Sequence, residues 1–189
     1  APCYGQFIDA SGGRVAVSSL QAVFVYERQE RGSWELVHRI DVIEETGGFC
    51  IHRPVALSHS RLVFLDGPRV RSVQLEDGAA TELDLLEIEA VYDLALTESA
   101  LAVVSETGPG AEDLRVFEAT DTGWARQHTV TEAEGETFGE VELGAGRIVV
   151  HRTLDGSSLS IFRHDGLTLE MEPTQVAAPD RPLPNESHD

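Results

Sequence analysis

The 189-residue sequence contains no lysine, so all 14 of its basic residues are arginines. Schiff-base chemistry and the lysine of a phosphate-binding P-loop are therefore excluded. Acidic residues outnumber basic ones by 33 to 14, which leaves a formal net charge of −19. Because nucleic acids and anionic membranes are bound mainly through cationic side chains, neither is expected as a partner. The acidity suits either solubility alone or a surface that attracts a cationic ligand or partner.

Long apolar runs and catalytic signatures are also missing. No stretch approaches the roughly 20 apolar residues that cross a bilayer as a helix, so membrane insertion is not expected. Motifs for a nucleophile elbow, a zinc protease or a dinucleotide site do not occur. The seven histidines form no pair at ligand spacing, and we therefore predict neither a metal nor a cofactor.

The chain does contain a strand–turn–strand segment that occurs four times, starting at Ile8, Val55, Leu94 and Val141. Two further strands follow in each copy, and a glycine shortly before the last strand is typical of a tight turn. A period of about 40–50 residues built from strands is typical of β-propeller blades. We therefore predict an all-β fold, a β-propeller of about four four-stranded blades or half of a larger propeller. The predicted copies cover residues 3–48, 49–88, 89–135 and 136–171, and residues 172–189 are predicted to form a proline-rich acidic extended tail.

Closure of the ring is open at this level, since propellers have about four to eight blades. A complete four-bladed ring is the preferred interpretation. The alternatives are a half-ring that pairs with a second copy as a homodimer, a fragment of a larger propeller, and an open stack. An open stack would leave exposed strand edges, which proteins usually cover.

Two stretches in the first copy, AVFVYER at residues 22–28 and GSWEL at residues 32–36, resemble the FG-GAP repeat of integrin-like β-propellers. Phe138-Gly139 falls where the Phe-Gly pair of that family begins a repeat, and the resemblance covers roughly residues 5–171. The Gly-Ala-Pro element of the family is missing from every copy. The Asp-Gly pairs lack the alternating aspartates of a calcium loop, so calcium binding is not carried over.

Acidic residues in the loops after the second and fourth strands are the candidate binding residues, because these loops share one face of a propeller. We predict an acidic rim made of Glu44, Glu45, Asp66, Asp113, Glu134 and Asp155. Turn formation and solvation are the simpler explanation of these residues. Trp34 and Trp124 occupy equivalent places and are expected to pack between blades.

Cys3 and Cys50 also lie at equivalent places, in neighbouring copies. A disulfide between them would tie the first two blades together in an exported protein, and two unpaired thiols are the alternative. An extracytoplasmic or secreted location is the corresponding expectation.

A non-catalytic module that binds a protein or a small cationic ligand is the favoured function. One alternative is a carboxylate-dependent hydrolase or lyase with its site in the central pocket. The other is a structural fragment of a larger propeller assembly. No catalytic residue is predicted.

Overall fold

The computed structural model describes residues 7–19, 21–42, 54–67, 69–76, 79–86, 90–108, 111–121, 123–131, 138–144, 146–154, 156–164, 168–171 and 176–177. These residues form strands and turns. Within them, no helix is present that could span a membrane.

Four antiparallel sheets follow one another along the chain, each built from strands in sequence order. The first contains β1 (Ile8–Ser11), β2 (Arg14–Ser18), β3 (Ala22–Arg28) and β4 (Trp34–Asp41). The second contains β5 (Val55–Leu57), β6 (Arg61–Asp66), β7 (Arg69–Glu76) and β8 (Ala79–Leu86). The third contains β9 (Val91–Leu96), β10 (Ala100–Gly108), β11 (Ala111–Thr120) and β12 (Gly123–Thr131). The fourth contains β13 (Phe138–Gly144), β14 (Arg147–Leu154), β15 (Gly156–His164), β16 (Leu169–Met171) and β17 (Val176–Ala177). The predicted all-β architecture of four four-stranded blades is confirmed.

The outer edge of the fourth sheet is made from two short pieces. β16 pairs with β15 at Phe162–His164, and β17 pairs with the same strand at Ser158 and Leu159. β17 therefore draws two residues of the predicted tail into the sheet. The remaining residues of 172–189 lie outside the described part of the chain, and the predicted domain limits stay a prediction.

The turn between β1 and β2 depends on two glycines. Gly12 and Gly13 have φ angles of 57° and 83°, in the left-handed region. Two consecutive residues of this kind form the hairpin turn whose twist matches that of its strands. Gly12 also lies against the second sheet, where a Cβ atom would stand 2.9 Å from Nδ1 of His59. The glycine thus serves both the turn and the approach of two neighbouring sheets.

Each sheet has a forward face, toward the next sheet in the chain, and a backward face, toward the preceding one. Ala16 and Val25 on the forward face of the first sheet share a buried core with Leu62 and Phe64 on the backward face of the second. The same arrangement joins the second sheet to the third and the third to the fourth. Alternation of side chains along each strand makes both faces of the middle sheets apolar.

The described residues of the four sheets form three such cores. The first strands pack in succession, β1 against β5, β5 against β9 and β9 against β13. Among the described residues no core joins the fourth sheet back to the first. The preferred interpretation, a complete four-bladed ring, is therefore not what these residues form. They form an arc with a backward face open at one end and a forward face open at the other.

The two tryptophans differ for this reason. The strand register places both tryptophans alike: Trp34 pairs with Arg28 and Trp124 pairs with Ala119, at the turn end of the hairpin in each sheet. Trp124 is 8% exposed, in the core between the second and third sheets, while Trp34 is 50% exposed. The expectation of packing between blades is correct for Trp124 and wrong for Trp34, because the first sheet has no preceding sheet to cover its backward face.

Candidate functional site

Asp66, at the end of β6, is one of the two predicted rim residues that the structure describes. Its side chain is buried, and its Oδ2 lies 3.3 Å from the guanidinium Nη1 of Arg71. The same Arg71 nitrogen donates to the backbone oxygen of Asp41, and the guanidinium stacks over the ring of Phe64. Asp66 therefore holds an arginine that links the first two sheets, so much of its charge is already balanced inside the protein.

Asp113, near the start of β11, is the second. It is 8% exposed, and Nη2 of Arg115 lies 3.9 Å from its Oδ2. Its Oδ1 is buried without a hydrogen-bond partner, as is the hydroxyl of Ser105, which stands opposite it on β10. Asp113 thus carries an unsatisfied oxygen that Asp66 does not have.

The neighbouring residue Glu112 belongs to a different group of side chains, because successive residues of a strand point to opposite faces. Glu112 stands directly opposite Glu106 across the β10–β11 hairpin, and the hydroxyl of Tyr92 donates to Oε2 of Glu106 over 2.9 Å. Glu112 is 9% exposed, and its Oε2 is buried without a hydrogen-bond partner. We call Tyr92, Glu106 and Glu112 the acidic cluster.

Burial and neighbouring negative charge raise the pKa values of Glu112 and Tyr92 in the acidic cluster. Burial raises the pKa of Glu112, and the charge of Glu106 raises it further against a lowering backbone hydrogen bond from Phe138. The pKa of Tyr92 is raised by burial, by its hydrogen bond to Glu106 and by both glutamate charges. Burial is the main cause of both shifts, and the neighbouring negative charges add to it.

A cavity of about 550 Å³ lies where the first strands of the four sheets converge. Two of its carboxylates bind neighbouring sheets together: Asp9 accepts from the backbone N–H of Leu57 over 2.6 Å, and Asp93 from that of Val141 over 2.8 Å. Each hydrogen bond joins a side chain on the forward face of one sheet to the backbone of the first strand of the next sheet. These two aspartates are therefore structural contacts between blades.

Glu98, a third carboxylate of the cavity wall, accepts hydrogen bonds from the backbone N–H and the hydroxyl of Ser60, over 3.0 and 2.5 Å. Burial alone would raise the pKa of Glu98, but the hydrogen bonds from Ser60 and its neighbours outweigh burial and leave that pKa below its ordinary value. Glu98 is thus held ionised and is poorly suited to donate a proton as a general acid.

The remaining predicted site residues lie outside the part of the chain that the structure describes. This holds for the rim residues and for both cysteines: Glu44, Glu45, Glu134, Asp155, Cys3 and Cys50. Of the predicted rim, the structure therefore places only Asp66 and Asp113, in separate ion pairs. No group of three metal-ligating side chains occurs among the described residues.

None of the three residues of the acidic cluster belongs to the predicted rim. The acidic pair of Glu106 and Glu112 could be read from the hairpin, whose strands flank a short glycine-containing turn. Tyr92 comes from a different strand, and its hydroxyl reaches Glu106 only through the pairing of β9 with β10.

No family model matches the sequence, and no curated protein matches it significantly. Solved structures do. A protein from Bacteroides uniformis assigned as a 6-phosphogluconolactonase aligns at 16% identity with a TM-score of 0.62, over 92% of this chain and 57% of that one. The N-terminal domain of Nup159 aligns at 15% identity and a TM-score of 0.50, over 88% and 47%. A chain from a Saccharomyces cerevisiae assembly of Dbp5 with Nup159 and Gle1 aligns at 14% identity and a TM-score of 0.51, over 88% and 46%.

The chain therefore spans about half the length of the solved structures it matches. At these identities the likeness concerns the fold alone. The matched structures are β-propeller folds, and the four antiparallel four-stranded sheets agree with them. By its fold, the chain is a β-propeller protein.

Proposed function

We propose that this protein is a binding module whose acidic cluster takes up a cationic group of a ligand or partner protein. The observation that carries the proposal is Glu112, a carboxylate that is nine-tenths buried and has one oxygen without a hydrogen-bond partner. A buried, unpaired charged group is costly, by about 1–3 kcal/mol or more. A cation that reaches Glu112 and Glu106 together would remove that cost.

An organic cation fits these groups better than a metal ion. A divalent ion needs several converging oxygen ligands, and within the described residues no group of three candidate ligands is assembled. A guanidinium or ammonium group needs only acceptor oxygens in a suitable arrangement, and two facing carboxylates supply them. The formal net charge of −19 would favour the approach of such a ligand from a distance.

The Nup159 domain among the matched structures occurs in an assembly with Dbp5 and Gle1, which is consistent with protein binding by a fold of this kind. We extend the proposal to a protein partner that presents an arginine or lysine side chain. The predicted rim residues Glu44, Glu45, Asp113, Glu134 and Asp155 remain a separate part of the proposal, as further negative charges that would attract a cationic partner.

Binding of a tetra-arginine peptide, followed by isothermal titration calorimetry, tests the proposal. The variant Glu106→Gln/Glu112→Gln is compared with Glu30→Gln/Asp121→Asn, which removes two exposed acidic groups from turns at the other ends of the strands. Charged hydrogen bonds contribute about 1.5–3 kcal/mol each. We therefore expect the cluster variant to bind at least about tenfold more weakly, and the control variant to bind as the unmodified chain does.

Two further readouts belong to the same experiment. Affinity should fall as salt rises, because charge attraction is screened. It should also fall with decreasing pH sooner than an ordinary glutamate would dictate, since the pKa of Glu112 is raised. Equal losses in the two variants would mean that the peptide senses only the overall charge, and the proposal would be abandoned.

The central cavity is the observation that favours the alternative, an enzyme. A lactonase acting on a phosphorylated sugar would need cations to hold the phosphate. Among the described residues, the cavity wall has the carboxylates Asp9, Asp93, Glu98 and Glu142, one histidine and no arginine. We therefore expect no hydrolysis of 6-phosphogluconolactone above the rate without protein, and measurable turnover would favour the enzyme over the module.

Kinship with FG-GAP repeats and an extracytoplasmic location are further parts of the proposal. The first is supported by Phe138, which begins β13 and is buried in the core between the third and fourth sheets. The second predicts a disulfide between Cys3 and Cys50 in exported protein. Peptide mapping without reduction checks it, and two alkylated free thiols would count against export.

A further inference from the structure

The backward face of the first sheet has the composition of a blade interface but is not covered by a blade. Val15 and Val17 occupy the register places that Leu62 and Phe64 occupy in the second sheet, next to Tyr26. Leu62 and Phe64 are 0% and 1% exposed, whereas Val15, Val17 and Tyr26 are only half-buried. Two large apolar side chains of the first sheet, Ile8 and Trp34, are 64% and 50% exposed.

The forward face of the fourth sheet has the matching property. Val149 and Ile161 pair with each other across β14 and β15, as Ala16 and Val25 do across β2 and β3. Ala16 and Val25 are fully buried against the second sheet. Val149 and Ile161 are half-buried, because no described residue of a further sheet covers them.

The fourth sheet also has polar residues at the places where other sheets make hydrogen bonds to the next sheet. Asp93 accepts a hydrogen bond from the backbone N–H of Val141, in the first strand of the following sheet. By the repeat, Glu140 in the fourth sheet corresponds to Asp93, and Ile8 in the first sheet corresponds to Val141. Glu140 is exposed, as is Glu142, which corresponds to Asp9. The open end of the fourth sheet therefore carries acceptors at the places from which two other sheets bind their successors.

We propose that a second copy of this chain covers both open faces, the fourth sheet of each copy packing on the first sheet of the other. A head-to-tail contact made twice closes a ring with twofold symmetry. Two arcs of four sheets give eight blades, within the range of about four to eight that propellers show. The chain matches 46–57% of the length of the solved propellers, so two copies reach the size of a whole one.

The tryptophans give this contact a specific geometry. The guanidinium of Arg61, on the second sheet, lies 5.0 Å from the ring of Trp124 on the third. Arg147 holds the place of Arg61 on the fourth sheet, and Trp34 holds the place of Trp124 on the first. The proposed contact therefore buries Trp34 beneath Arg147 of the other copy.

Light scattering with size-exclusion chromatography tests the proposal on the 189-residue chain. We expect a mass about twice 20.6 kDa, falling toward the single-chain mass on dilution. Tryptophan emission should shift to longer wavelength over the same dilution as Trp34 becomes exposed. A concentration of about 100 µM lies well above the dissociation constants of stable dimers. A single-chain mass at that concentration would overturn the proposal. The open faces would then be covered by tail residues or by blades of a longer chain.

Two variants separate this head-to-tail contact from other dimers. Val17→Asp places a charge on the open backward face, and Ile161→Asp places one on the open forward face. We expect each variant alone to dissociate at least about 100-fold more readily, since a buried unpaired charge is costly. An equal mixture should recover a dimer, because one of its two contacts contains neither charge. Loss of the dimer in Val17→Asp alone would indicate pairing of two first sheets and would contradict the proposal.

An exposed pair of substitutions avoids any effect on folding. Glu140→Arg/Glu142→Arg should weaken the dimer about tenfold or more, because both acceptors are lost and two cations replace them. Glu76→Arg/Asp121→Arg makes the same change of charge at the ends of β7 and β11, on the two middle sheets, and should leave the dimer intact. If both variants weaken it equally, the contact does not use the fourth sheet.

Discussion

Replacing each tryptophan by alanine tests the open arc directly, because the two residues share a repeat position but differ in their surroundings. Trp124 is 8% exposed, and its Nε1 donates to the hydroxyl of Ser72 over 2.8 Å. Trp34 is 50% exposed. A closed ring would give the two tryptophans similar cover, whereas the arc leaves Trp34 without it. We expect Trp124→Ala to be much the more damaging change.

The structure sets the size of the difference. Removing a buried aromatic side chain to alanine costs about 3–5 kcal/mol, which includes the cavity left behind. Ser72 is fully buried, so loss of its indole partner leaves its hydroxyl with one hydrogen bond fewer. Arg61 also loses the ring over which it is stacked. For the half-exposed Trp34 the loss in a single chain is about 1 kcal/mol or less.

Urea denaturation followed by circular dichroism measures the free energy of unfolding of each variant. Samples are kept dilute, so that contacts between copies do not add to the stability of Trp34. Ser72→Ala serves as a control, since it removes the hydrogen-bond acceptor and keeps the ring. Its loss should be about 1 kcal/mol and smaller than that of Trp124→Ala. Similar losses for Trp34→Ala and Trp124→Ala in the dilute chain would refute the open arc.

Three further changes test contacts within the structure. Asp93→Ala leaves the N–H of Val141 without its carboxylate acceptor between the third and fourth sheets, and it should lower the free energy of unfolding by about 1–3 kcal/mol. The control Asp41→Ala removes an exposed carboxylate and should lower it by less than about 1 kcal/mol in the same urea titration. Because the pKa of Glu98 is lowered by folding, its stabilisation is present above the ordinary value of 4.5 and is lost as pH falls through the lower folded value. Glu98→Gln should therefore flatten the acid side of a stability-against-pH curve, and an unchanged curve would contradict the assignment. Because the pKa of Glu112 is raised, its ionisation costs stability as pH rises through the folded value. At pH 7, Glu112→Gln should unfold at a higher urea concentration than the unmodified chain, and below about pH 4.5 the two should unfold at the same concentration. Greater stability of the unmodified chain at pH 7 would show that the unpaired oxygen has a partner.

The local sequence pattern was sufficient to predict the fold. The segments at Ile8, Val55, Leu94 and Val141 alternate apolar and other residues around a short turn, and a strand is the element that such a period of two allows. The recurrence of that pattern then gave the number of sheets. The glycine shortly before the last strand of each copy predicted a tight turn, and Gly32, with a φ angle of 80°, agrees with that prediction in the first sheet.

The candidate site was much less accessible to sequence reasoning. Asp66 and Asp113 were predicted to lie in loops on one face, but they lie in β6 and β11, and both are buried beside arginines on β7 and β11. The order of residues along the chain does not show where a strand ends or which arginine lies beside an aspartate. Asp9 and Asp93 were not singled out, because an aspartate that accepts from the next sheet has no local signature.

Sequence by itself determined the strands, their grouping into four antiparallel sheets and the excess of negative charge, because these depend on alternation, turn residues and composition within each repeat. Tertiary structure alone decided which apolar faces are covered, which carboxylates meet an arginine or a backbone N–H, and that the described sheets form an arc. Those properties depend on contacts between sheets about 40–50 residues apart in the chain, so Trp34 and Trp124, alike in sequence context, end in different surroundings.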